Sequence, residues 1–114
     1  MSQPTIERKQ LLKAELGGRN VSAVDVRKIR FEPGQKTGRH LHPCSVVGYI
    51  AEGTAVFQIE GEAARMLPAG SAFHEPAGSV IAAFSNASQS DPMTFVAFYL
   101  LDGEQELIQM LEQK

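Results

Sequence analysis

"HLHPCSVVGYIAEGTAVFQIEG" runs from His40 to Gly61, and its second half decides the fold. In "TAVFQIE" (54–60), Ala55, Phe57 and Ile59 share one face of an extended chain while Thr54, Gln58 and Glu60 share the other. A period of two belongs to a half-buried strand and not to a helix. The apolar run "SVVGYIA" (45–51) precedes it, with a turn signal at Gly53 between them. Outward from this pair the same texture continues. Strands are predicted at 21–31, 63–67, 71–75, 79–85 and 93–101, separated by turns around Gly61 and Gly70 and by "PAG" segments. Many short strands joined by Gly and Pro turns indicate an all-β sandwich or closed barrel.

Only the two ends carry helical spacing. In "DGEQELIQMLEQK" (102–114), Asp102 is an N-cap candidate with Gln105 three residues on, and Leu107, Met110 and Leu111 fall on one helical face. This predicts a C-terminal amphipathic helix at about 103–113. "ERKQLLKAEL" (7–16) predicts a short N-terminal helix that Gly17-Gly18 ends. With 114 residues the chain is expected to be one domain, 1–114, with a core at about 21–102.

Composition narrows the partners. Lys+Arg number 11 against 13 Asp+Glu, and no basic block stands out, so neither nucleic acid nor an anionic membrane surface is an expected partner. The first residues lack a signal-peptide core and no later segment has the length of a membrane span, which places the expected location in the cytoplasm. Cys44 is the only cysteine, so no internal disulfide can form. "MTFVAFYLL" (93–101) is apolar on both faces, as in a central strand or a strand at a two-fold interface; a homodimer is the expectation.

The histidine pair gains meaning from the strand map. On an extended chain His40 and His42 leave the same face, and two imidazoles so placed are metal-ligand candidates. A third ligand is expected from the hairpin that carries "FHEP" (73–76): His74 first, Glu75 second, since neighbours on a regular strand face opposite ways. Each has a plainer reading. His74 suits a hydrogen-bonded barrel residue, Glu75 a surface charge or a partner for Arg39, and Cys44 a small buried filler. Tyr49, Phe57 and Phe73, with Phe84 and Phe95, read as core or pocket lining.

The order of these motifs resembles the cupin superfamily, small barrels of the double-stranded β-helix, jelly-roll-like type. Its first motif is matched by Gly34, His40, His42 and Gly53, and its second by Gly61, "PAG" at 68–70, "FHEP" and Gly78. "AGSAFHEPAGSVIAAFSNAS" (69–88) is similar to a bacterial cupin subgroup with Tyr-Glu-Pro-Pro-Gly and an Asn-Ala-Ser tail. The likeness covers roughly residues 29–102. Two positions depart from the pattern. Val46 stands where cupins usually place a carboxylate ligand, and Ile81 where they usually place the last histidine.

The resemblance implies a divalent metal, Fe, Mn, Ni or Zn, held by His40, His42 and His74, with Glu75 as general base and a small organic ligand in a pocket formed by Tyr49, Phe57, Phe73 and Ile81. It leaves three functions open: a metal-dependent oxygenase or isomerase, a small-molecule binding or sensing module, and a dimeric structural protein. With Val46 and Ile81 at the mouth, the expected ligand is mostly apolar or aromatic with one anionic or carbonyl group, and sugars bind poorly.

Overall fold

Alternating apolar and polar residues form strands here because each strand has a second sheet to bury its apolar face against. The structure is a computed structural model that describes residues 5–112. Among the described residues there are nine strands: β1 (Ala23–Phe31), β2 (His40–Leu41), β3 (Ser45–Glu52), β4 (Thr54–Ile59), β5 (Arg65–Pro68), β6 (Ala72–Glu75), β7 (Val80–Asn86), β8 (Met93–Leu101) and β9 (Gln109–Met110). They form a four-stranded sheet, β1-β8-β3-β6, and a five-stranded sheet, β5-β4-β7-β2-β9. All pairings are antiparallel. The expected barrel is therefore a sandwich of two separate sheets and not a closed one. No helix among the described residues is long and apolar enough to cross a membrane.

The two-faced apolarity of β8 has a direct cause. This strand lies between β1 and β3, with Met93, Phe95, Ala97 and Tyr99 buried and Val96, Phe98 and Leu100 half-buried. Between the sheets Phe31, Phe57, Phe73, Phe84 and Phe95 interlock; Phe84 and Phe95 lie 4.8 Å apart between ring centroids, and Phe31 meets Phe95 edge-on at 5.6 Å. Offset and edge contacts of this kind add to the area the rings bury. The Asn-Ala-Ser tail has a structural role. The Asn86 amide donates to the carbonyls of Glu32 (3.1 Å) and Asp91 (2.7 Å), and its Oδ1 accepts from the Ser88 N–H (2.9 Å), tying the β7–β8 loop down.

Gly48 on β3 is required by packing. A Cβ there would meet Phe73 Cζ at 2.1 Å, and Phe73 is fully buried. Gly48→Ala should destabilise the protein by about 1–3 kcal/mol, the usual penalty of overpacking, as a lower urea midpoint with an unchanged slope; an unaltered midpoint would show that the Phe73 ring has room to move.

Neither predicted helix forms. Residues 7–16 form neither helix nor strand, with Leu11 49 % and Leu12 36 % exposed. Leu11 and Leu12 share a shallow groove with Val47, Tyr49 and Phe98 on the outer face of the four-stranded sheet, and a ten-residue segment is too short to be a stable helix on its own. The C-terminal segment had a stronger competitor. β2 offers a free edge, and β9 takes it, pairing Met110 with His40 and Gln109 with Leu41. Gln105 does contact Asp102, but its Oε1 accepts from the Asp102 N–H across a tight turn with Gly103 at φ +67°, which redirects the chain. Residue 113 lies outside the described residues.

Candidate metal centre

His40 begins β2, and His42 directly follows its end, ahead of Pro43, Cys44 and the start of β3 at Ser45. Both imidazoles are buried, and both are oriented by a carbonyl. His40 Nδ1 lies 2.7 Å from Gly38 O, and His42 Nδ1 lies 2.6 Å from Leu107 O. A carbonyl can only accept, so in each ring Nδ1 carries the proton and Nε2 is left with a lone pair. The two rings stand 5.0 Å apart at 79°. Outer contacts that fix the tautomer and orientation in this way are typical of histidines that bind metal.

The third member is Glu75. His40, His42 and Glu75 present ligand atoms within 4.8 Å of one another, and all three residues are buried. That is close to the span of ligands bonded to one ion, each at roughly 2.0–2.2 Å. Glu75 Oε2 is sealed from solvent and pressed against His42 Nε2 without the alignment of a hydrogen bond. Two atoms that both bear lone pairs repel at such an approach unless a positive charge lies between them. A proton on His42 or a metal ion supplies it.

The proton competes with the metal. Burial alone would lower the His42 pKa, but the adjacent Glu75 carboxylate and the Leu107 carbonyl outweigh it and raise the value above the ordinary 6.5. A raised folded-state value contributes stability to the metal-free protein that is complete below pH 6.5 and is lost as pH rises through the raised value. Metal binding must run the other way, since the ligand has to be deprotonated. Below pH 6.5 the dissociation constant for a divalent ion should rise at least about tenfold per unit of acidification, followed by calorimetric titration; a pH-independent constant would exclude His42 as a ligand.

His74 stands outside this group. Along β6 Phe73 and Glu75 are buried while Ala72 and His74 are half-buried, so alternation turns His74 to the other side of the strand. Arg39, the suggested partner for Glu75, instead pairs with Glu60 at 3.0 Å. Cys44 lines a separate polar cleft with Arg19, Asn20 and Gln105. The cavity beside the centre has a volume of about 110 Å³ and is walled by Phe31, Phe73, Phe84, Phe95 and Tyr99. Of the four expected pocket residues, Phe73 lines it. Phe57 and Ile81 are buried in the core, and Tyr49, 39 % exposed, points away from it because Gly48 and Ile50 hold the inward positions of β3.

A family model for the cupin domain matches residues 27–99, including both histidines and Glu75. The chain belongs to the cupin family. The fold of this cupin is similar to that of a DMSP lyase (TM-score 0.68, 21 % identity, covering 80 % of this chain and 45 % of that one). It is also similar to a cupin-like protein of Thermotoga maritima (TM-score 0.66, 23 % identity, covering 77 % and 64 %) and to oxalate oxidase in complex with glycolate (TM-score 0.63, 22 % identity, covering 77 % and 46 %). The chain thus spans less than two thirds of the length of each. A search of curated proteins gives no match.

Strand pairing relates Glu75 to the two positions that depart from the cupin pattern. Val46 occupies the position of the family's usual carboxylate, and Val46 pairs directly with Glu75 across β3 and β6. Ile81 occupies the position of the last histidine and pairs directly with His40 across β7 and β2. Glu75 therefore lies beside Val46 on the neighbouring strand, and Ile81 beside His40. Two further contributors have little local signal in the sequence. Tyr99 could be placed inward from its sharing a β8 face with Phe95 and Ala97, whereas the Leu107 carbonyl is a backbone group that no residue type announces.

Proposed function

We propose that this cupin binds one divalent metal ion through His40, His42 and Glu75 and takes a small organic ligand in the adjoining cavity. One observation carries the reading: the sealed Glu75 oxygen set against a histidine nitrogen whose other ring nitrogen is already committed to a carbonyl. Two neutral imidazoles and one carboxylate suit Fe, Mn, Ni or Zn, and three protein ligands leave positions open for a ligand. Glu75 then serves the metal, rather than acting as a free general base, and neutralises part of its charge.

A metal so held acts as a Lewis acid toward an oxygen of the ligand. The rest falls to the chain. Phe31, Phe73, Phe84 and Phe95 exclude water and offer contact area, while the residual positive charge of the centre favours an anionic oxygen. The similarly folded oxalate oxidase, solved with the substrate analogue glycolate, supports a small organic anion in a fold of this outline. We also propose a homodimer, through the outer face of β1, where Val24 and Val26 are 52 % and 57 % exposed; light scattering at micromolar concentration tests it.

The reading is tested with untagged protein. Elemental analysis should give about one divalent ion per chain. In a thermal-shift panel run with that ion, organic acids should stabilise the protein and sugars should not. Stabilisation by sugars alone, or protein free of metal after growth in metal-supplemented medium, would overturn it.

A further inference from the structure

Resting on the metal reading above, we propose that the Tyr99 hydroxyl is the hydrogen-bond donor that anchors the ligand's carboxylate beside the metal, and that the ligand is a short-chain carboxylate of benzene size or less. The first part follows from an inventory of the cavity wall. Its polar residues are Thr37, His40, His42, Glu75 and Tyr99. The Thr37 hydroxyl donates to Phe84 O at 3.2 Å. The Nδ1–H groups of His40 and His42 are committed to Gly38 O and Leu107 O, and their Nε2 atoms face the metal position. Ionised Glu75 only accepts.

Tyr99 remains. It is 7 % exposed, lines the cavity, and its hydroxyl has no hydrogen-bond partner among the described residues. Among the described residues the sealed polar side-chain atoms without a partner are His74 Nε2 and Glu75 Oε2; the Tyr99 hydroxyl is not sealed in and can donate to an incoming ligand. Its position is fixed by the sheet. Asp25, Tyr99, Val46 and Glu75 form one row across β1, β8, β3 and β6, and the Tyr99 ring meets the His42 ring edge-on at 5.8 Å. The Tyr99 ring thus stands beside His42 on a central strand and lines the same cavity as the three metal ligands.

The second part follows from volume. An apolar cavity of roughly 150 Å³ takes up benzene, and this one measures about 110 Å³. An aromatic ring carrying a carboxylate exceeds it, whereas a short keto acid fits. This narrows the sequence-based expectation, which admitted aromatic acids.

The test uses full-length protein loaded with Mn²⁺, with pyruvate as the probe and benzoate as its oversized competitor. Free Mn²⁺ is followed by electron paramagnetic resonance and pyruvate by broadening of its methyl proton signal. Wild-type protein should broaden pyruvate, and benzoate should not displace it. Tyr99→Phe keeps the ring against His42, so it should hold Mn²⁺ as tightly as wild type while binding pyruvate about tenfold more weakly, about 1.4 kcal/mol. Equal pyruvate affinity in Tyr99→Phe, absence of pyruvate broadening in Mn²⁺-loaded wild type, or displacement by benzoate would each overturn the inference and leave the metal reading standing. Failure of wild type to bind Mn²⁺ or another divalent ion would overturn both.

Discussion

Replacing His40 and His42 together by alanine should abolish stoichiometric metal binding and leave the sandwich folded. Structural zinc sites with four ligands are worth roughly 10–16 kcal/mol, or roughly 3 kcal/mol per ligand. Loss of two ligands should then weaken binding on the order of 10⁴-fold. Glu75 alone, partly stripped of its facing cation, cannot hold an ion in a buried site. The fold should survive because the aromatic core lies on Phe31, Phe57, Phe73, Phe84 and Phe95 and not on the imidazoles. Elemental analysis of the double variant, with circular dichroism as the check on folding, reads the outcome. Metal content equal to wild type would remove both histidines from the site.

The second large effect is expected far from these residues in sequence. A chain ending at Gly103 loses the Leu107 carbonyl that fixes His42, the β9 pairing alongside His40, and the backbone bond from Leu111 N to Arg39 O at 2.9 Å. It also loses Ile108 from the cavity wall. Partners that orient a metal-bound histidine are typically worth 10–100-fold in affinity. The truncated protein should therefore bind its ion roughly 10–100-fold more weakly while keeping its strand signal. Leu107→Ala is the control: the bond to His42 uses the backbone, so that variant should retain wild-type affinity. Equal affinity in the truncated chain would show that the C-terminal segment only covers the edge of β2.

These two cases also mark what can be read from the sequence. "TAVFQIE" matches β4 almost to the residue because period-two burial is written into it, and "MTFVAFYLL" matches β8 because an unbroken apolar run of this length suits a strand covered on both faces. His40 and His42 were legible through the same period of two, as an i, i+2 pair on an extended chain. Glu75 was visible but ranked behind His74, because choosing between adjacent residues requires knowing which face of β6 looks inward. That depends on the register of β6 against β3, and so does the pairing of Glu75 with Val46. Register is set between strands and cannot be taken from either one alone. The C-terminal segment misled for a related reason. Leu107, Met110 and Leu111 do have helical spacing, but the vacant edge of β2 offered backbone partners that helix propensity, a weak preference, could not match.

The central claim is that Glu75, on the strand paired with β3, completes a metal centre with the two histidines. Anomalous X-ray scattering from crystals of untagged, metal-loaded protein, recorded on both sides of the metal's absorption edge, tests it most directly. The account predicts a single strong peak per chain, bounded by His40 Nε2, His42 Nε2 and a Glu75 carboxylate oxygen. A peak at His74 or Cys44, or a fully loaded crystal with no peak among these three residues, would contradict it.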